Sequence, residues 1–275
     1  MTSSAAACTV AVVKTRSFAT RLLTAVILAA VLLAPLAAGC GKKSEGTLSR
    51  IRREATMRVG TDATYPPFES IDAANREVVG FDADLARAIG RRLGARVEFL
   101  VVPFDGILAA LKSGKYDAVI SALTITDDRA REVLFSEPYY AAGQSIVVHS
   151  GSTIRSEADL PGRRIGVQLG TTGEREAHKI DRAEIISFDA IGAAFIDLAN
   201  GRLDAVIADT PTAALFANDH PEIVLVGAPI TRESYGIAMR KSDLDLKGAI
   251  DGALRSLDSD GTVRSLREKW KLPSP

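Results

Sequence analysis

Val59-Gly60-Thr61-Asp62-Ala63-Thr64-Tyr65-Pro66-Pro67-Phe68-Glu69 is a short β run that ends in a carboxylate, an aromatic ring and a rigid Pro-Pro turn. Gly80-Phe81-Asp82-Ala83-Asp84-Leu85 follows and starts an amphipathic segment, with Phe81, Leu85, Ile89 and Leu93 on one helical face. Strand, polar turn and helix in that order form the repeating unit of a parallel α/β sheet. The alternation continues downstream. Helices are expected over 82–93 and 105–113, with Asp105 as N-cap and Gly114 as stop. Strands are expected over 118–123 and 145–148.

A second α/β unit then begins, with strands over 164–168, 203–208 and 223–226 and helices over 173–180, 191–200 and 211–218. Residues 235–239 read as a strand. Helices over 246–257 and 261–271 end the series, Asp260 capping the last. Ligands of open α/β sheets collect at the C-terminal ends of strands. Here those ends carry Asp62, residues 121–126, residues 168–172 and Asp209. Segments distant in sequence are therefore expected to converge on one cleft.

The first 40 residues read as a targeting segment rather than as part of the fold. Lys14, Arg16 and Arg21 supply a positive start, and residues 22–33 form an apolar core too short to span a bilayer. Small residues lead into Leu36-Ala37-Ala38-Gly39-Cys40, which resembles a lipoprotein signal over 1–39 with Cys40 as the lipidated residue. A plain secretory signal or a membrane anchor is the alternative. Cys8 and Cys40 are the only cysteines, so no disulfide, thiol nucleophile or Cys-based metal site is expected after cleavage. Residues 40–55 read as lipidated Cys and flexible tether. The 275-residue chain has 34 basic and 34 acidic residues; without the leader's three cations the balance is about −3. No basic block suggests nucleic acid.

From about Met57 to Leu272, five short motifs in order resemble those of the extracellular solute-binding proteins, family 3, which serve ABC importers. The resemblance implies a two-lobed, type II periplasmic-binding-protein-like α/β fold. Each lobe would be a mostly parallel sheet flanked by helices: 56–143 as lobe 1, 144–234 as lobe 2, and 235–275 returning to lobe 1. Two crossings, near 143–147 and 232–237, would form the hinge. It also implies a monomer that passes its ligand to a permease in the cytoplasmic membrane. No cofactor and no metal are expected, and His149, His178 and His220 are scattered.

An α-amino acid needs a cation and N–H donors for its carboxylate, and a carboxylate with neutral acceptors for its ammonium. The planar Arg fork suits the first task. Each charge-assisted bond contributes roughly 1.5–3 kcal/mol, and several of them could reach the about −8 kcal/mol of a micromolar complex. In Ser121-Ala122-Leu123-Thr124-Ile125-Thr126-Asp127-Asp128-Arg129 the resemblance makes Arg129 and Thr124 carboxylate ligands. Ser121 would face the ammonium. Gly166-Val167-Gln168-Leu169-Gly170-Thr171-Thr172-Gly173 is a Gly-rich turn into a helix, where N–H groups favour an anion. It places Thr172 on the same carboxylate. Asp209, after the run Ala205-Val206-Ile207-Ala208, is the ammonium partner or else a helix cap.

Asp62, Tyr65, Phe104 and Gln168 are the expected side-chain wall. Phe104 could also be core, and Phe68 reads as core. A carboxylate at Asp62 disfavours acidic ligands, which leaves arginine, lysine, histidine and glutamine. Two other classes stand beside this reading. One is a ligand sensor acting through a separate signalling partner. The other is an arogenate- or prephenate-dehydratase-like enzyme, which needs a general acid over the substrate. No nucleophile, metal or phosphate motif supports catalysis.

Overall fold

Two five-stranded sheets joined by a pair of crossing strands organise the computed structural model, which describes residues 45–273. The leader over 1–39, Cys40 and the start of the tether lie outside the described residues. In chain order the elements are α1 (Thr47–Glu54), β1 (Thr56–Thr61), β2 (Thr64–Tyr65), β3 (Glu69–Ile71), β4 (Val78–Val79), α2 (Phe81–Leu93) and β5 (Arg96–Val101). Then come α3 (Ile107–Lys112), β6 (Ala118–Val119), α4 (Asp127–Glu132), β7 (Leu134–Phe135), β8 (Tyr140–Ala142) and β9 (Gln144–His149). The next are β10 (Arg164–Gln168), α5 (Thr172–Ala177), β11 (Glu184–Phe188), α6 (Ile191–Ala199), β12 (Ala205–Asp209), α7 (Thr210–Asp219) and β13 (Ile223–Val226). The last are β14 (Glu233–Tyr235), β15 (Ala238–Met239), α8 (Leu244–Ser259) and α9 (Thr262–Lys269).

Lobe 1 has strand order β5-β1-β6-β15-β7 and lobe 2 has β11-β10-β12-β9-β13. β1 is parallel to β5 and β6, and β10 is parallel to β11 and β12. One strand in each sheet opposes the rest, β15 in the first and β9 in the second. Each follows directly on a crossing strand, β14 and β8. The chain thus enters that lobe from the cleft side, where the parallel strands end, and must run against them. β8 and β14 pair antiparallel, Tyr140 opposite Tyr235 and Ala142 opposite Glu233. The crossing strands therefore pair at 140–142 and 233–235, the first a few residues before the expected 143–147. The expected strand over 235–239 is two strands, because the chain leaves the hinge ladder at Gly236 before joining the lobe 1 sheet.

An aromatic cluster anchors this hinge to lobe 1. The Phe68 ring lies 5.1 Å from Tyr140 and 5.2 Å from Tyr235, edge-on to both, and the two tyrosines stack at 5.6 Å. Such pairs add about 0.5–1.5 kcal/mol each beyond area burial. Phe68 is fully buried, as a core residue should be. The helix face of α2 is likewise interior: Phe81, Leu85, Ile89 and Leu93 are all buried. Gly80 before it has φ +133°, and a Cβ there would lie 2.0 Å from the Phe68 carbonyl oxygen. Only glycine lets the turn close that tightly.

The ordered fold begins earlier than the tether expected over 40–55 allows. Residues 47–54 are helix α1, with Ile51 fully buried. Arg50 reaches the buried carboxylate of Asp117 at 2.5 Å, which Arg58 also meets at 3.1 Å. Thr47 donates to Asp243 at 2.9 Å. An apolar anchor and a paired buried acid explain why this Arg-rich segment is helix rather than linker. At the other end, Gly261 and not the expected Asp260 holds the N-cap position of α9; Asp260, one residue earlier, accepts the Thr262 N–H at 2.9 Å. Asp105 does not cap α3; it sits in a 3-10 turn, Phe104–Gly106. No helix among the described residues is long and apolar enough to cross a membrane.

Candidate functional site

The C-terminal ends of β1 and β6 face those of β10 and β12 across a small cavity. From lobe 1 it is lined by Tyr65, Phe104, Ser121, Ala122, Thr124 and Arg129, and from lobe 2 by Gln168, Thr171, Thr172 and Asp209. Asp62 lies beside it, buried, and accepts 2.8 Å from Gln168 Nε2. The structure therefore gathers Asp62, Tyr65, Phe104, Ser121, Thr124, Arg129, Gln168, Thr172 and Asp209 at one place. Their spacing along the chain gives no such proximity; parallel strands do, by ending on one side of each sheet.

The lobes meet through these residues. Tyr65 donates to Asp209 Oδ2 at 2.7 Å, and the Asp209 N–H donates back to the Tyr65 oxygen at 3.2 Å. Arg129 donates through Nη1 to the Thr124 carbonyl at 2.9 Å and through Nη2 to the Gly170 carbonyl of lobe 2 at 3.0 Å. Its guanidinium also lies 5.4 Å from the Phe104 ring centre. Asp128 of lobe 1 pairs with Arg175 of lobe 2 at 3.1 Å on the rim. Gly170 has φ +79°, and a Cβ there would come 2.9 Å from Asp105 Cα of the facing lobe. Closure this tight needs glycine at that turn.

Burial sets the electrostatics. It pushes the Asp209 carboxyl up to about 7, with the neighbouring charge of Glu233 adding to the rise. Asp62 is raised by burial, and Asp105 adds to that. Burial lowers Arg129 to about 10, helped by the like charge of Arg175; it stays cationic at neutral pH. Its guanidinium has five N–H donors, and two go to carbonyl oxygens. The remaining donors suit a carboxylate. Asp209, at the end of β12, suits an ammonium. One cavity thus offers both halves of an α-amino acid their partners, one carrier of each from a different lobe.

Three acids and an amide that the sequence reading passes over complete the surroundings. Glu233 on β14 accepts the hydroxyls of Thr124 at 2.7 Å and Thr172 at 2.8 Å. Gln144, first residue of β9, donates to Thr172 at 3.1 Å and also to Asp209. Gln144 begins the strand that leaves the hinge for lobe 2 and Glu233 begins the second crossing strand, and that position is the only signal by which sequence could flag them. Behind Ser121 lies a buried acid pair. Glu69 accepts the Ser121 hydroxyl at 2.7 Å, and Asp82 accepts the Ala122 N–H at 2.6 Å and the Tyr139 hydroxyl at 2.8 Å. Burial raises Asp82 to about 7 and Glu69 well above the usual carboxylate range, where Asp82 adds to the rise. Ser121 in turn accepts the Asp62 N–H at 3.0 Å. Among the described residues no cluster of His, Cys, Asp and Glu could hold a metal ion.

Comparison with known proteins places the chain in a family. The family model described as bacterial extracellular solute-binding proteins, family 3, matches residues 57–273. The ABC transporter arginine-binding protein 1 of Escherichia coli K12 is 38% identical over 220 residues, covering 78% of this chain and 90% of that protein. An ancestral arginine-binding protein solved with arginine is 44% identical, with a TM-score of 0.76, covering 78% of this chain and 98% of that one. The ancestral amino acid-binding protein AncCDT-1, described as a precursor of cyclohexadienyl dehydratase, is 42% identical, with a TM-score of 0.78, covering 82% and 99%.

Proposed function

The chain belongs to the bacterial extracellular solute-binding proteins, family 3, and on that premise we propose that it captures a basic or polar L-amino acid outside the cytoplasm for an ABC importer. Arginine is the first candidate. The observation that carries this reading is the pairing of Arg129 and Asp209 across one closed cavity, Arg129 offering a cation from lobe 1 and Asp209 a carboxylate from lobe 2. The ligand's carboxylate lies on Arg129 and on the N–H groups at Thr124 and Thr172; its ammonium lies on Asp209 near Ser121. Its side chain runs between Tyr65 and Phe104 toward Asp62 and Gln168. A cationic side chain meets the Asp62 carboxylate, and the arginine ligands of two similar proteins support that choice. Because each lobe supplies an anchor, the ligand binds the closed form more tightly than the open one, and only such a difference shifts a hinge equilibrium. The closed form is what docks on the permease.

Calorimetric titration against the twenty amino acids plus ornithine, citrulline and cystine tests this. The expected result is micromolar or tighter binding of arginine, or of a few basic and polar members, each recovered chemically unchanged. Folded protein that binds none of them refutes it. The likeness to a dehydratase precursor makes prephenate and arogenate worth including; turnover of either would replace the non-enzyme reading. Cys40 carries the lipid in this proposal and the protein acts as a monomer. Cys40→Ser should then release it from the membrane fraction, and it should sediment as a single copy.

A further inference from the structure

We propose that Glu233 is a closure latch: a hinge-strand carboxylate that draws together the hydroxyls of Thr124 from lobe 1 and Thr172 from lobe 2. One oxygen, Oε2, accepts both, at 2.7 and 2.8 Å. The other, Oε1, accepts the Thr231 hydroxyl at 3.0 Å, and Thr231 itself accepts the Gln144 N–H at 2.8 Å. The carboxylate is thus oriented by its own hinge segment before it reaches either lobe. Gln144 Nε2 approaches Oε2 at 3.4 Å and joins it to Asp209. Hydrogen bonds to a charged acceptor are worth about twice neutral ones, and these two depend on each other. Thr124 and Thr172 reach the same oxygen only when the lobes are together.

Of the latch, only the two threonines line the ligand cavity. Glu233 does not line that cavity, but with Thr124 and Thr172 it lines a wider groove on the hinge side, beside Thr126, Arg175 and Arg232. It can therefore hold the lobes without displacing a bound molecule. It also decides what the threonines offer inward. Their hydroxyl protons point at Glu233, so toward the cavity they present lone pairs, and an anion there depends on Arg129 and on backbone N–H groups. A ligand bearing a second anionic group at this end meets both those lone pairs and the Glu233 charge. Resting on the amino-acid reading only in this last respect, the latch makes the closed form appreciable without any ligand.

The test measures the distance between lobes in the ligand-free whole chain, in detergent, with Cys8 and Cys40 replaced by serine. Spin labels at Arg91→Cys on α2 and Glu184→Cys on β11, both exposed, report the open and closed populations. Glu233→Ala should lower the closed-to-open ratio about tenfold or more, since two charge-assisted bonds go together. Glu233→Asp keeps the charge but is shorter by one carbon–carbon bond, about 1.5 Å, and should open the protein as Ala does. Glu233→Gln keeps length and an acceptor oxygen but not the charge, and should fall between Glu233→Ala and the parent. A merely structural role would not order the variants by reach. Overturning results are an unliganded parent chain with no closed population, or Glu233→Asp indistinguishable from the parent. If Glu233→Ala does not fold, the Asp and Gln pair decides. Failure of amino-acid binding leaves this readout intact, so the two ideas fail separately.

Discussion

Replacing Arg129 by alanine is the sharpest perturbation of the proposed site. Of its five N–H donors, the Thr124 and Gly170 carbonyls take two, at 2.9 and 3.0 Å, so a ligand carboxylate can occupy two more without breaking either contact. Two charge-assisted bonds at about 1.5–3 kcal/mol each give about 3–6 kcal/mol before compensation. Water entering the space left by the side chain returns part of that, which leaves roughly 2–4 kcal/mol, or about 30-fold to several hundred-fold in affinity. The fold should survive. The guanidinium answers carbonyl oxygens rather than a buried carboxylate, and the lost contact with Phe104 is worth only about 0.5–1 kcal/mol. Calorimetry with the best ligand from the panel, alongside a thermal melt, separates the two effects. Arg129→Lys keeps the charge but not the fork and should fall between. A loss under tenfold in Arg129→Ala, with the protein folded, would refute the reasoning.

Asp209 predicts a pH dependence. It faces Tyr65, Tyr235, Gln144 and Glu233, with Arg129 nearby, and it titrates at about 7; an ammonium needs it ionised. Affinity should rise with pH from about 5.5 to about 7 and level off above, while Asp209→Asn binds weakly and without that slope. Calorimetry at matched ionic strength checks this, and a flat profile in the parent chain counts against the ammonium role. The Glu69–Asp82 pair predicts the opposite trend in stability. Both carboxyls are raised in the folded state above their unfolded values, so the fold binds the extra proton. Stability on their account is fully present near pH 4 and is lost as pH rises through about 7. Urea midpoints across that window should fall in the parent chain and be flatter in Glu69→Gln; equal slopes would contradict it. In α1, Ile51→Ala should cost about 2–5 kcal/mol of stability, as for other fully buried aliphatic side chains, with ligand affinity unchanged in the molecules that remain folded. A loss under about 0.5 kcal/mol in chemical denaturation would mean that α1 is not part of the core.

What the sequence reading missed follows a physical pattern. The strands it leaves out of the two sheets, β5, β7 and β11, are all sheet edges and only partly buried. In β5 and β11 the polar residues Arg96, Glu98, Glu184 and Ser187 interrupt the apolar ones, so Arg96-Val97-Glu98-Phe99 gives no clear strand signal. α1 escapes for a related reason: Ile51 is its one fully buried residue among several arginines, and a single anchor has no period. β10, inside its sheet, and β13, an edge strand that nonetheless carries the unbroken apolar run Ile223-Val224-Leu225-Val226, are read to the residue. Glu233 and Gln144 are invisible because their surroundings are assembled from three separate segments.

The α/β alternation, the family and the strand ends where polar residues gather are legible in the chain alone. Those are local or short-range properties: hydrophobic period, turn residues and caps act within a few positions of where they are written. Which of those residues pair is fixed in three dimensions. Tyr65 and Asp209 stand 144 positions apart, and Gln168 and Asp62 stand 106 apart. Each pair meets because two crossing strands fix the angle between lobes. Hydrogen bonds are directional and fade within an ångström of their best length. No pattern along the chain encodes a separation that the hinge sets.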